Sequence, residues 1–287
     1  MSQRHGTYRQ HPYPVALNMK KRSRSLSHAS ASIDGAVGEL CLMRPQQRNA
    51  IGESMMEQVL ALCQWFDQHE DVKVVVLHGS GKIFSAGMDI NLFRGELPEQ
   101  ISDAAELTRQ MLERVTAMNA VVIAAIHGSC VGASSIMLAT ACDLRYATPD
   151  ARFFLPEINL GIPVSYSGMS GLTKSLGATL TLEMALLGHP VPAQRLLQKH
   201  FLNGLFEPDE LLPRTRAIAA RVAENSALVL RMTKRQMAHD IQTLASPHHS
   251  FQFMNDLRVA LGDPESRKIR AAYLARMGVA GNGASGT

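Results

Sequence analysis

Four short runs rich in β-branched and apolar residues, set apart by stretches of helical periodicity, restrict this chain to an α/β fold. The runs are residues 37–43 (VGELCLM), 72–77 (VKVVVL), 121–126 (VVIAAI) and 143–147 (DLRYA). Between the first two, residues 52–68 place Met55, Val59, Leu62, Cys63 and Phe66 at the spacing of one helix face. Helices are expected at 101–117 and 133–141 between the later runs, and such alternation favours a mostly parallel sheet. Beyond Ser167 the strand signal fades, and helices are expected at 167–176, 179–187, 192–199, 209–223, 226–245 and 264–276.

At 287 residues the chain is long enough to bury a sizeable core, and no Pro/Gly/Ser-rich linker divides its interior. Charge is uneven. Arg4, Arg9, Lys20, Lys21, Arg22 and Arg24 precede the first acid, Asp34, and leave −2 for the rest of a chain whose net charge is +4. Four regions are expected: a basic, disordered leader at 1–32, an α/β core at 33–200, a helical region at 201–277 and a disordered tail at 278–287. The leader reads as an extension, a transit peptide, or a nucleic-acid or membrane contact. The slightly acidic remainder, with few aromatics near the basic cluster, argues against a nucleic-acid partner.

No apolar run approaches the roughly 18 residues of a membrane span, so no membrane insertion is expected. Cys41, Cys63, Cys130 and Cys142 are scattered without metal-site spacing and read as buried thiols, with no metal expected. A cytoplasmic location is expected, or a mitochondrial one if the leader is a transit peptide.

Three segments carry candidate chemistry. Residues 82–89 (KIFSAGMD) set small side chains and Gly87 directly after a strand, so that a ligand can approach the backbone. Residues 124–143 lead a strand through Gly128 and Gly132 into a helix of small residues, whose N-terminus offers unpaired N–H groups to a developing oxyanion. Residues 151–163 (ARFFLPEINLGIP) set Glu157 among apolar neighbours, which is expected to raise its proton affinity and suit it to general-base work. Each segment alone also reads as ordinary structure, a tight loop or a strand-to-helix turn.

In this order, the segments resemble the crotonase (enoyl-CoA hydratase/isomerase) superfamily from about Ile33 to Met277. The resemblance implies a crotonase-like ββα spiral core with a helical C-terminal region. It also implies an acyl-CoA thioester as substrate, no cofactor beyond the coenzyme A carried by that substrate, and a homotrimer or dimer of trimers. The family's first oxyanion donor maps to Met88 and its second to Ala133 or Ser134. Ala86, Gly87, Asp89, Gly132, Met137, Ser165 and Tyr166 map to the surrounding substrate pocket.

Glu157 matches the family's second catalytic glutamate, whereas the first falls on Ile136 or Met137, which carry no acid. A further family acid falls near Ser165 and is also absent. A single base suits a β,γ to α,β double-bond shift better than hydration, in which the family uses two acids. Enoyl-CoA hydratase and an idle CoA-binding protein remain alternatives. Glu157 also reads as a cap of the oxyanion-loop helix, and Asp89 and Asp143 as structural groups. His78 and His127 read as satisfied residues at strand ends. Lys234 and Arg235 read either as partners of the CoA phosphates or as part of a solvated face.

Overall fold

A computed structural model describes residues 21–93, 98–164, 166–243 and 250–278. Its strands are β1 (Arg22–Ser25), β2 (Ala29–Asp34), β3 (Val37–Leu42), β4 (Val74–Gly79), β5 (Val121–Ile126), β6 (Ser129–Val131), β7 (Leu144–Ala147), β8 (Arg152–Phe154), β9 (Val191–Pro192) and β10 (Gly204–Leu205). The helices are α1 (Glu53–Asp67), α2 (Pro98–Thr116), α3 (Gly132–Ala141), α4 (Tyr166–Leu176), α5 (Ala178–Leu187), α6 (Ala193–Gln198), α7 (Leu211–Ala223), α8 (Ala227–Thr243), α9 (Ser250–Gly262) and α10 (Pro264–Arg276).

The main sheet runs β1-β2-β3-β4-β5-β7-β10, antiparallel over β1 to β3 and parallel from β3 to β10. β4 and β5 are almost wholly buried because helices cover both faces, which is why both read as continuous apolar runs. On one face α1 buries Met55, Met56, Val59, Leu62, Cys63 and Phe66 in the main core. Each such fully buried side chain contributes ~1.5–3 kcal/mol. Gly38 makes room for this packing, since a Cβ there would stand 2.5 Å from the Phe66 ring. On the other face α7 packs Leu211, Ala219 and Ala223 against Val74, Val76, Ile123 and Ala125.

Three expectations need correction. The chain from Arg22 is not a disordered leader, because β1 and β2 form the first hairpin. Ala29, Ala31 and Ile33 turn into the core while Ser32 and Asp34 stay exposed; alanine and serine alternate too weakly in hydropathy for composition to reveal the strand. Arg22 pairs with Asp71 and so fastens β1 to the turn before β4. A chain begun near Ser30 would lose β1. Residues 1–20 and the tail from 279 lie outside the described residues. Second, α9 occupies a stretch where no helix was expected. Third, Lys234 lies on no solvated face: its side chain is 8% exposed and its ammonium bonds Asp143 at 2.9 Å and the Ala120 carbonyl at 2.9 Å.

Asp143 also accepts from the Val122 N–H at 2.7 Å, and the exposed Arg235 approaches Asn119 at 3.5 Å. Cys63 and Cys142 are buried, and burial pushes their thiols up to about 12; Cys41 is only half-buried. Among the described residues no helix is long and apolar enough to cross a membrane.

On the α7 face, Glu39 of β3 accepts two bonds from Arg216 and faces His78 of β4 at 3.5 Å. Hydrogen bonds from His78 and Arg216 bring Glu39 down to about 2 from 4.5. Burial opposes charge on His78, but hydrogen bonds with Cys41 and Glu39 outweigh it and raise the imidazole to about 9 from 6.5. A lowered carboxyl stabilises the fold above its unfolded value and loses this contribution as pH falls; a raised imidazole stabilises below its unfolded value and loses it as pH rises. The cluster therefore contributes most between 4.5 and 6.5, fading toward about 2 and toward about 9. Denaturant unfolding across pH should show Glu39→Gln flattening both limbs; an unchanged profile would refute the assignment.

Candidate functional site

The small second sheet, order β6-β8-β9, positions the candidate groups. β6 and β8 are parallel, with Cys130 opposite Phe153 and Val131 opposite Phe154. Ser85 adds a third extended segment through a parallel bridge to Cys130, closed by Ser85 N–H to Ser129 O at 3.1 Å and Val131 N–H to Ser85 O at 3.0 Å. Ser85, Cys130 and Phe153 thus stand side by side, and all three segments run the same way. Their next residues are Gly87 and Met88, Gly132 and the start of α3, and the 3-10 turn Pro156–Leu160 that carries Glu157. Ends of parallel strands are where α/β folds gather ligand-binding groups.

Close approach demands glycine at two of these positions. Gly87 has φ +83, and a Cβ there would stand 2.2 Å from the Val131 carbonyl oxygen. Gly132 has φ +71, and its Cβ would meet Glu157 Oε1 at 3.3 Å and the Gly87 Cα at 3.7 Å. Backbone, helix N-terminus and carboxylate therefore meet around one small space. Glu157 is half-buried, with Oε2 shielded from solvent. Among the apolar neighbours read from the sequence, Leu155, Pro156 and Leu160 are buried, while Ile158 is 42% exposed.

The first candidate donor follows from strand geometry. Ile51 N–H bonds Gly87 O at 2.7 Å and Asp89 N–H bonds Ile51 O at 2.9 Å, so Met88 is the bridge residue whose own N–H faces away from Ile51. For the second, α3 begins at Gly132 with Val131 as an N-cap that makes no side-chain bond. Ala133 and Ser134 lie in its first turn, where backbone N–H groups have no intrahelical acceptor and the helix dipole favours negative charge. Both remain candidates.

Other expected site residues are placed less centrally. Ala86 donates its N–H to Arg48 O at 2.8 Å, which holds the loop. The Asp89 carboxylate is engaged by Arg44 at 3.2 Å and by Asn91 at 2.7 Å, consistent with a structural role. Ile136 is buried in the main core, and Met137 follows it on α3. Tyr166 opens α4, and Ser165 lies outside the described residues. Among the described residues no group of acids, histidines and cysteines is arranged to hold a metal. His127 donates its Nε2–H to Gly81 O, 3.0 Å away, and burial lowers its proton affinity.

Sequence reasoning missed Asn49. It is fully buried at φ +52, and its Nδ2 donates among Ser80 O, Ile83 O and Phe84 O at 2.8, 3.0 and 3.1 Å. Its Oδ1 accepts from Arg44 N–H at 2.9 Å, and its carbonyl accepts from Ser85 Oγ at 2.7 Å. One side chain thereby fixes the loop that delivers Ser85, and Ser85 Oγ accepts in turn from the Gly87 N–H at 3.1 Å. A lone Asn in a Gln-Arg-Asn-Ala stretch carries no local signal of that role.

Comparison with known proteins identifies the family. The family described as Enoyl-CoA hydratase/isomerase matches residues 32–276. A probable enoyl-CoA hydratase of Bacillus subtilis is 32% identical over 203 residues, 70% of this chain and 78% of the relative. The mitochondrial Delta(3,5)-Delta(2,4)-dienoyl-CoA isomerase of Dictyostelium discoideum is 27% identical over 71% of this chain and 73% of its own length. The crystal structure of an enoyl-CoA hydratase/carnithine racemase from Magnetospirillum magneticum superposes with a TM-score of 0.73 at 26% identity, covering 88% of this chain and 94% of that one.

The contact between loops gives a direct test. Gly87→Ala should cost about 1–3 kcal/mol through backbone strain and the clash with Val131, whereas Gly262→Ala, with nothing within 4 Å of the new Cβ, should not destabilise. Denaturant midpoints compare the two variants; equal midpoints would contradict the close approach.

Proposed function

Since the chain belongs to the enoyl-CoA hydratase/isomerase family, we propose that it binds an acyl-CoA thioester and shifts a double bond from the β,γ to the α,β position, with Glu157 as the base. The observation that carries this reading is the position of Glu157 Oε1 against Gly132, at the N-terminus of α3 and beside Gly87. A thioester oxygen held by the N–H groups of Met88 and of Ala133 or Ser134 would leave its α-carbon close to that carboxylate.

Glu157 takes the α-proton, and the C–H electron pair moves into the bond between the α-carbon and the carbonyl carbon, leaving a dienolate. Its negative oxygen is stabilised by the two backbone donors and the α3 dipole, which act on charge that develops only during the reaction. Glu157 then returns the proton to the γ-carbon and is restored as a carboxylate. One base completes the cycle. Of the positions to which the family's other acid maps, Ile136 is packed in the core and Met137 has no ionisable group.

Hydration is the second reading, favoured by relatives whose names are hydratases, among them the protein of Bacillus subtilis. Turnover of paired β,γ- and α,β-enoyl-CoA substrates separates the two. The isomerase reading expects product from the β,γ substrate and little water addition to the α,β one; the reverse pattern makes the chain a hydratase, and binding without turnover makes it an idle CoA-binding protein. Glu157→Gln should lower isomerase kcat by about 10²–10⁴ while acyl-CoA affinity, measured by calorimetry, stays within a few-fold. Undiminished turnover in that variant would sink the single-base mechanism.

A further inference from the structure

The C-terminal helix brings a tyrosine to the site that the mechanism above leaves unused. Gly161, the left-handed cap of the turn bearing Glu157, lies so close to α10 that a Cβ would stand 2.5 Å from the Ser266 carbonyl oxygen. Tyr273 lies two turns further along, on the same face of α10 as Ser266. It is half-buried and packs on a cluster of Leu160, Ile162, Leu257 and Leu274. Met88, whose N–H is the first candidate oxyanion donor, and Ile90 pack on the same cluster.

We propose that Tyr273 is a positioning residue for Glu157, its phenol O–H setting the orientation and proton affinity of the carboxylate beside the thioester. The inference rests on Glu157 being the base of the proposed reaction. No covalent step is involved: the phenol keeps its proton and donates a hydrogen bond.

The electrostatics agree in sign. Burial first, then the negative charge of Glu157, raise the Tyr273 phenol above its ordinary value, with Arg276 opposing them. The phenol stays neutral at physiological pH and remains a donor. The charged groups around it are Glu157 from the 3-10 turn and, on its own helix, Arg276, whose guanidinium carbon is 5.7 Å from the ring centre. Arg270 is turned to the Leu261 carbonyl at 3.0 Å, and Asp256 and Arg258 of α9 are exposed to solvent. Once ionised, the tyrosine would lose its donor and set a second negative charge near Glu157, so activity should fall at alkaline pH.

Tyr273→Phe in the full chain keeps the ring and removes only the hydroxyl. Isomerase kcat is expected to fall about tenfold, the effect of one hydrogen bond to a charged group, with KM within a few-fold and the alkaline limb of the pH profile gone. A tyrosine needed for packing alone would leave kcat and that limb unchanged, which would overturn the proposal. A titration of phenolate absorbance tests the pairing without turnover. The transition present in the chain and missing in Tyr273→Phe should move to lower pH in Glu157→Gln, and a transition that stays put refutes the pairing. Absent turnover with a shifted transition would instead defeat the proposed reaction and leave the pairing standing.

Discussion

The site depends on one register. Ser85, Cys130 and Phe153 lie side by side on three parallel extended segments, and because all three run the same way, their C-terminal continuations arrive at one place. Those continuations are a glycine loop, a helix N-terminus and a turn bearing a carboxylate. The segments approach within van der Waals limits only because Gly87 and Gly132 lack a Cβ and take positive φ. A slip of one residue in either pairing would turn Met88 or α3 away from Glu157. Asn49 guards against such a slip, since its buried amide fixes three carbonyls of the loop leading into Ser85.

That arrangement also limits the chemistry. In the proposed reaction two backbone donors and a helix dipole would stabilise negative charge on an oxygen without moving, so their contribution would grow as the enolate forms. Proton transfer in that reaction falls to Glu157, whose turn ends in Leu160 and abuts an apolar cluster that includes Ile162, with Met88 packed on it. Asp89 is committed to Arg44 and Asp143 to Lys234. The proposed double-bond shift asks only for donors to an enolate oxygen and a single base, whereas addition of water by the family's two-acid route asks for a second acid.

Much of this was legible where the physical signal was strong. The apolar run 121–126 is β5 to the residue, and the spacing of Met55, Val59, Leu62, Cys63 and Phe66 is the buried face of α1. Elements of two or three residues, such as β6, β8 and β9, are too short to show a period, yet they set the geometry of the site. β2 was hidden because its inward residues include two alanines, and its outward ones are serines and an aspartate. Lys234 looked solvated because sequence gives a charge but not its partner far away in the chain, and Tyr273 comes onto the cluster that also carries Met88 only through the packing of α10 on the turn after β8.

The central claim is that Met88, the α3 N-terminus and Glu157 act on a single thioester. A crystal structure with a non-hydrolysable acyl-CoA analogue tests it most directly. The account predicts the carbonyl oxygen about 3 Å from the Met88 nitrogen and from that of Ala133 or Ser134, with a Glu157 oxygen facing the α-carbon. A thioester bound elsewhere, or one whose α-carbon faces away from Glu157, would contradict it.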